Sequence, residues 1–131
     1  MELRLSLAGA SGKVGLYLSP NGKWYLPHGL APSTHIVKQS HVRLKNIVPN
    51  ELLCLKTAAN CGIDIPLTAI IDAGEGKDED ILLASRRFDR IFTSDNEMID
   101  KLPIPFRLHQ EDFAQALGIP QRRSMSKAGT I

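Results

Sequence analysis

The chain has 131 residues, 43% of them hydrophobic and 23% charged, with a formal net charge of +2. That is the size of one ordinary domain with enough apolar residues for a core, which excludes a disordered or collagen-like chain and leaves little room for two lobes and a catalytic insert. A net charge this small does not argue for nucleic acid by itself.

The charge is uneven. Residues 1–65 carry 7 basic and 3 acidic side chains and residues 66–131 carry 9 and 11, so a positive half precedes a mildly negative one. The acids concentrate in Glu75, Asp78, Glu79 and Asp80, a run expected to be a solvated turn. Cys54 and Cys61 lie seven apart in one expected helix, about 10 Å along its axis. A disulfide needs Cα atoms within about 7 Å, so the two do not pair in place, which fits a reducing compartment. The N-terminus has no signal-peptide h-region and no apolar run approaches membrane-span length; a soluble cytoplasmic protein is the expectation.

Along the chain, residues 2–7 alternate polar and apolar with Leu3, Leu5 and Leu7 on one face, a half-buried strand. Ala8–Gly12 is a small-residue turn, and Val14–Ser19 reads as the returning strand. Pro20-Asn21-Gly22 is a strong turn signal before a third strand at Lys23–Leu26. Pro27–Pro32 connects to a β-branched fourth strand, Thr34–Lys38. Asn50, after Pro49, is a good N-cap for a helix over about 51–61, with Leu52, Leu55 and Ala59 as its apolar stripe and Gly62 as the stop. Leu67–Ile71 and Ile81–Ser85 read as two more strands around the acidic turn. Residues 88–105 carry weak signals. Gln110–Leu117 reads as a short helix, and residues 121–131 as a loose basic end. Strands first, with one helix before the last pair, predict an α+β fold: a small antiparallel sheet with one packed helix, which is also the layout of a protein-kinase N-lobe.

Three places could carry chemistry. The turn Ser6–Lys13 lets backbone N–H groups approach a phosphate, but it matches neither a P-loop nor GxGxxG, and on spacing alone a plain hairpin turn fits better. Lys38 at a strand end, followed by Glu51 in the first turn of a helix, is the pair kinases use to hold nucleotide phosphates; from these residues alone, a surface lysine and a helix-dipole acid fit better. Arg86-Arg87-Phe88-Asp89-Arg90 alternates charge around an aromatic and reads as an ion-paired structural turn before it reads as a nucleic-acid patch. His28, His35, His41 and His109 have no metal-ligand spacing, and no nucleophile–His–Asp arrangement stands out.

The order of these segments resembles the HipA family of serine/threonine kinases, the toxins of HipBA-type toxin–antitoxin modules. LSLAGASGKVGL is similar to the family's glycine-rich loop segment, PSTHIVK to its ATP-lysine strand and NELLCLKTAANCGI to the helix that follows. RFDR is similar to its hinge motif and LHQEDFAQALGI to its Q-E-D-x-x-Q helix. The resemblance implies a kinase N-lobe-like domain over 1–90 and the start of a C-lobe over 91–131. It implies an ATP site in which Ala8, Gly9, Ala10, Ser11, Gly12 and Lys13 cover the phosphates, Lys38 binds them, Glu51 holds Lys38, and Arg86, Arg87 and Phe88 lie along the adenine. Ser6 aligns with the family's autophosphorylated serine. ATP and Mg²⁺ are the implied cofactors, and a HipB-like antitoxin or a C-lobe the implied partner.

Two departures stand out. Position 86 is Arg where the family usually has Glu, which is tolerable only if backbone groups read the adenine. The catalytic-loop Asp and the metal-binding residues of the family lie downstream of the matched segments, so the expectation is an N-lobe core with both flanks missing and no phosphoryl transfer of its own. The rival expectations are a non-catalytic module that binds a nucleotide or a partner, and a small basic nucleic-acid adaptor using Arg122, Arg123 and Lys127.

Overall fold

The alternating and β-branched segments become one antiparallel sheet, but not in chain order. The computed structural model describes residues 12–29, 31–40, 45–74 and 76–118. The expected first strand at 2–7, most of the small-residue turn, and Ser6 lie outside these residues. Within them, β1 (Lys13–Leu18), β2 (Trp24–Tyr25), β3 (His35–Gln39), β4 (Thr68–Asp72) and β5 (Ile81–Arg86) form a five-stranded sheet in the order β2-β1-β3-β5-β4, with every neighbouring pair antiparallel. The β1–β2 turn is closed by Gly22 at φ 79° and by buried Ser19, whose Oγ donates to the Lys23 carbonyl (2.9 Å) and accepts from the Lys23 N–H (3.0 Å).

The register sorts the side chains between two faces, because opposed residues in antiparallel strands share a face and neighbours along a strand alternate. Val14, Val37, Ala84 and Ala69 are aligned across the sheet, with Leu16 and Leu82 on the same side; this face holds the cluster Leu16, Val37, Leu82 and Ala84, flanked by Val14, Trp24 and Ile71. The other face carries Lys13, Lys38, Leu83 and Ile70, aligned in the next row.

Helix α1 (Ile47–Asn60) packs against β3 and β5, and Val48 and Leu83 have no exposed surface. It begins a turn earlier than expected. The N-cap is Asn46 at φ 61°, not Asn50, and Pro49 sits inside the first turn, where its missing N–H has no intrahelical acceptor to lose. The earlier start resets the stripe: Val48 is buried, Glu51, Leu52, Leu55 and Ala58 are half-buried, and Ala59 is exposed. The stop is as expected. Gly62 at φ 79° donates to the Ala59 carbonyl and Ile63 to that of Ala58, both at 3.0 Å, the double bond of a Schellman cap.

The acidic run is more than a solvated turn. Asp78–Asp80 forms one turn of 3₁₀ helix, and the half-buried Asp78 accepts from Ser40 Oγ (3.1 Å) and from the Asn46 N–H (3.0 Å), anchoring the start of α1. Residues 90–107, mostly weak in the sequence, hold two small ribbons. β6 (Arg90–Ile91) pairs with β9 (Phe106–Arg107), and β7 (Met98–Ile99) with β8 (Leu102–Pro103). The β7–β8 turn uses Asp100 and Lys101 at φ 50° and 65°, without the Asn-Gly or Asp-Gly that advertises such a turn. Tyr17 Oη donates to the Pro103 carbonyl (2.7 Å), tying this ribbon to the sheet, and burial raises the Tyr17 pKa. Helix α2 (Phe113–Ala116) is shorter than the expected 110–117. No helix among the described residues is long and apolar enough to cross a membrane.

Candidate nucleotide site

Lys38 and Glu51 are brought together. β3 presents Lys38 on the face that α1 covers, and the early helix start turns Glu51 toward it; Nζ donates to Oε1 in an ion pair with both side chains about 30% exposed (26% and 31%). Lys13 is the cross-strand partner of Lys38, so two ammonium groups share one face where β1 leaves the glycine-rich segment. Gly12 continues the ladder by accepting from the Gln39 N–H (3.2 Å). Ala8, Gly9, Ala10 and Ser11 lie outside the described residues.

Two residues missed by sequence reasoning complete this end of the sheet. Gly15 faces the same side as Lys13, and a Cβ there would lie 2.7 Å from Ser33 Oγ and 2.8 Å from Ser33 Cβ, so only glycine admits the close approach. A glycine inside an otherwise regular strand was the available signal. Ser33 in turn accepts from Arg90 Nε at its carbonyl (3.2 Å) and from Arg87 Nη1 at its hydroxyl (3.4 Å).

The hinge segment divides. Arg87 grips Asp89 bidentately (Nε–Oδ1 2.9 Å, Nη2–Oδ2 2.7 Å), and Arg90 Nη1 donates to the same carboxylate. Asp89 is 5% exposed. The Arg87 hydrogen bond, opposed by burial and reinforced by both guanidinium charges, lowers its pKa to about 2. The ion-paired turn is therefore formed. Arg86 belongs to the row of Val37 and Ala84 along β3 and β5 and sits on the face opposite Lys38, whereas the Arg86 and Arg87 backbone N–H groups bond the Leu67 and Thr34 carbonyls (2.8 and 2.9 Å). An arginine in place of glutamate at 86 therefore does not enter the Lys38 face. Phe88 is 79% exposed.

The Q-E-D-x-x-Q segment acquires a physical role. Asp112 Oδ1 accepts from the Gln115 N–H (2.7 Å) and Gln115 Oε1 from the Asp112 N–H (3.0 Å), a reciprocal capping box that starts α2. Glu111 pairs with His109 (2.9 Å), both exposed.

The donor set on the Lys38 face fits a nucleotide: two lysines, one held by a carboxylate, on a sheet whose glycine-rich segment leads into β1. It does not fit Mg²⁺. Among the described residues no group of three His, Cys, Asp or Glu side chains could hold a metal, and Glu51 is engaged with Lys38. Cys54 and Cys61 are free and exposed.

An antiparallel sheet whose middle strand holds a lysine against a glutamate of the packed helix, followed by a hinge, defines a kinase N-lobe-like α+β fold. The family model described as the HipA-like C-terminal domain matches residues 5–131, and the chain belongs to that family. It is 35% identical over 127 residues to "Putative kinase Y4mE" of Sinorhizobium fredii (strain NBRC 101917 / NGR234), an alignment covering 97% of this chain and 27% of that protein. Its fold is similar to that of a chain in the complex of HipA, HipB and operator DNA from Shewanella oneidensis MR-1 (TM-score 0.58, 26% identity, 81% of this chain and 22% of that one). The chain thus spans about a quarter of the length of these relatives.

Proposed function

We propose that this chain is the ATP-binding lobe of a HipA-like toxin serine/threonine kinase. The observation that carries the reading is the Lys38–Glu51 ion pair on the same sheet face as Lys13. Lys38 binds the α- and β-phosphates, Glu51 fixes its ammonium, Gly12 and Lys13 extend the cover supplied by Ala8–Ser11, and the backbone from Arg86 to Phe88 lies along the adenine. Residues 1–90 make up this lobe and 91–131 lead into the next. Ser6 is the autophosphorylation site, and the compartment is the cytoplasm. Mg²⁺ would enter bound to the nucleotide's own phosphates, and this reading assigns it no ligand among the described residues.

Nucleotide binding and phosphoryl transfer separate at this point. The sequence contains no Asp-x-x-x-x-Asn segment to take the hydroxyl proton and hold metal. Isothermal titration with ATP and Mg²⁺ should show binding that Lys38→Ala weakens at least about tenfold, with no phosphate transferred to a protein substrate. Wild-type affinity in Lys38→Ala overturns the nucleotide site. Transfer abolished by Lys38→Ala overturns the inactivity.

A second reading, a non-catalytic module that docks on a C-lobe or a HipB-like antitoxin, is favoured by Phe88, Phe113 and Leu117, which are 79%, 89% and 71% exposed. A monomer in sedimentation that binds neither partner would count against it.

A further inference from the structure

The sheet face turned away from Lys38 has a cavity of its own. It measures about 390 Å³ and lies where β1, β3 and β5 end, with walls from Leu18, Leu67 and Phe92 and polar groups from His35, Arg86 and Arg90. That volume lies in the range of small-molecule sites.

Its charge is unbalanced. No acidic residue lines it. Arg90 is committed, with Nη1 on Asp89 and Nε on the Ser33 carbonyl. His35 is committed too: Nδ1 shares a hydrogen bond with Thr34 Oγ1 (2.8 Å) and the ring stands edge-on to Trp24 at 5.1 Å. Burial, aided by the Arg86 charge, lowers the His35 pKa and so favours the neutral ring. Arg86 is the lining guanidinium that is wholly unengaged. Among the described residues no hydrogen bond or ion pair engages its guanidinium.

One open, planar, two-pronged cation beside apolar walls selects one kind of ligand. We propose that this cavity binds a small organic monocarboxylate, with Arg86 taking the carboxylate through both prongs and Leu18, Leu67 and Phe92 covering the apolar body. The Arg86 side chain lies on the sheet face opposite Lys38, so this cavity is distinct from the proposed phosphate site and shares with the proposed nucleotide site only the Arg86 backbone. A single unengaged guanidinium matches one negative charge.

The full chain provides its own reporter, because Trp24 is its one tryptophan and touches His35. Titrating 4-phenylbutyrate to about 10 mM should change Trp24 fluorescence saturably and move the His35 imidazole pKa upward, as the carboxylate neutralises Arg86. The neutral analogue 4-phenylbutanamide should bind about tenfold more weakly or worse, and so should inorganic phosphate, which lacks the apolar body. ADP should not displace the probe. Arg86→Gln should abolish binding, and Arg86→Lys should retain part of it; circular dichroism reports whether each variant is folded. The comparison of acid with amide in the unaltered protein decides the question even if both variants fail to fold. No saturation, equal binding of acid and amide, equal binding of phosphate, displacement by ADP, or undiminished binding in folded Arg86→Gln would each overturn the proposal.

Discussion

The Lys38–Glu51 pair and the Arg87–Asp89–Arg90 cluster use the same chemistry in two environments. The first is about 30% exposed on each side and joins a strand to a helix. In the second, Asp89 and Arg90 side chains are each 8% exposed, Arg87 is 26% exposed, and one carboxylate answers two guanidinium groups within four residues. Water screens the first pair, so it contributes little to stability and is easily rearranged around a ligand. The second is desolvated, and removing its anion would leave two cations facing each other. A cation proposed to hold a ligand has to stay accessible, whereas a cluster that holds backbone does not.

The sharpest way to break this contrast is Asp89→Asn, which should destabilise the fold by about 3 kcal/mol in urea unfolding; a loss under ~0.5 kcal/mol would show that the cluster is ornamental to stability. The same carboxylate sets an acid limb. Its folded pKa of about 2 lies below its ordinary 3.8, so its contribution is fully present above the unfolded value and is lost as pH falls through the folded one. That contribution amounts to roughly 2.5 kcal/mol, and Asp89→Asn should flatten stability between about pH 4 and pH 2. Next in size is Gly15→Ala, which should cost about 1–3 kcal/mol because its Cβ meets Ser33; Ser33→Gly in the same chain should recover most of that loss. Glu51→Gln should change stability by less than about 1 kcal/mol while weakening ATP binding by about tenfold, a split that a purely structural pair would not show. Smallest is the effect of His35. With its folded pKa lowered, the unfolded chain binds the extra proton, so its contribution is present above the ordinary imidazole value of 6.5 and declines as pH falls below it. Arg86→Gln should narrow that window when stability is followed by Trp24 fluorescence.

Much of this was legible in the chain. Alternation and turn residues located β1, β2, β3 and β5 to within a residue or so, and Gly62 marked the helix stop. The helix start was misplaced because Pro49 suggests a boundary, whereas a proline in the first turn breaks no hydrogen bond. The β6–β9 and β7–β8 ribbons were invisible because two-residue strands have no period to read and the β7–β8 turn lacks glycine. Lys38 and Glu51 were visible as candidates, but their meeting depends on α1 lying against β3, a tertiary fact. The face occupied by Arg86 follows from register alone, and register is set by long-range pairing. The acidic run looked solvated because a count of charges does not say which of them meets a backbone N–H; Asp78 does.

The sheet order also bears on how the chain folds. β1–β2 and β4–β5 are local hairpins between sequence neighbours, and β3 is the strand that joins them, pairing with β1 on one side and β5 on the other. The β3–β5 pairing closes a loop that contains all of α1, so its entropy cost comes late and is met only when both hairpins and the helix are in place. Lys38 sits on that joining strand. The lysine is therefore expected to gain its glutamate partner late in assembly, and an incompletely folded chain would lack the proposed phosphate-binding pair. Formation of the Lys38–Glu51 contact, followed by hydrogen exchange of the β3 amides during refolding, would report completion of the whole sheet.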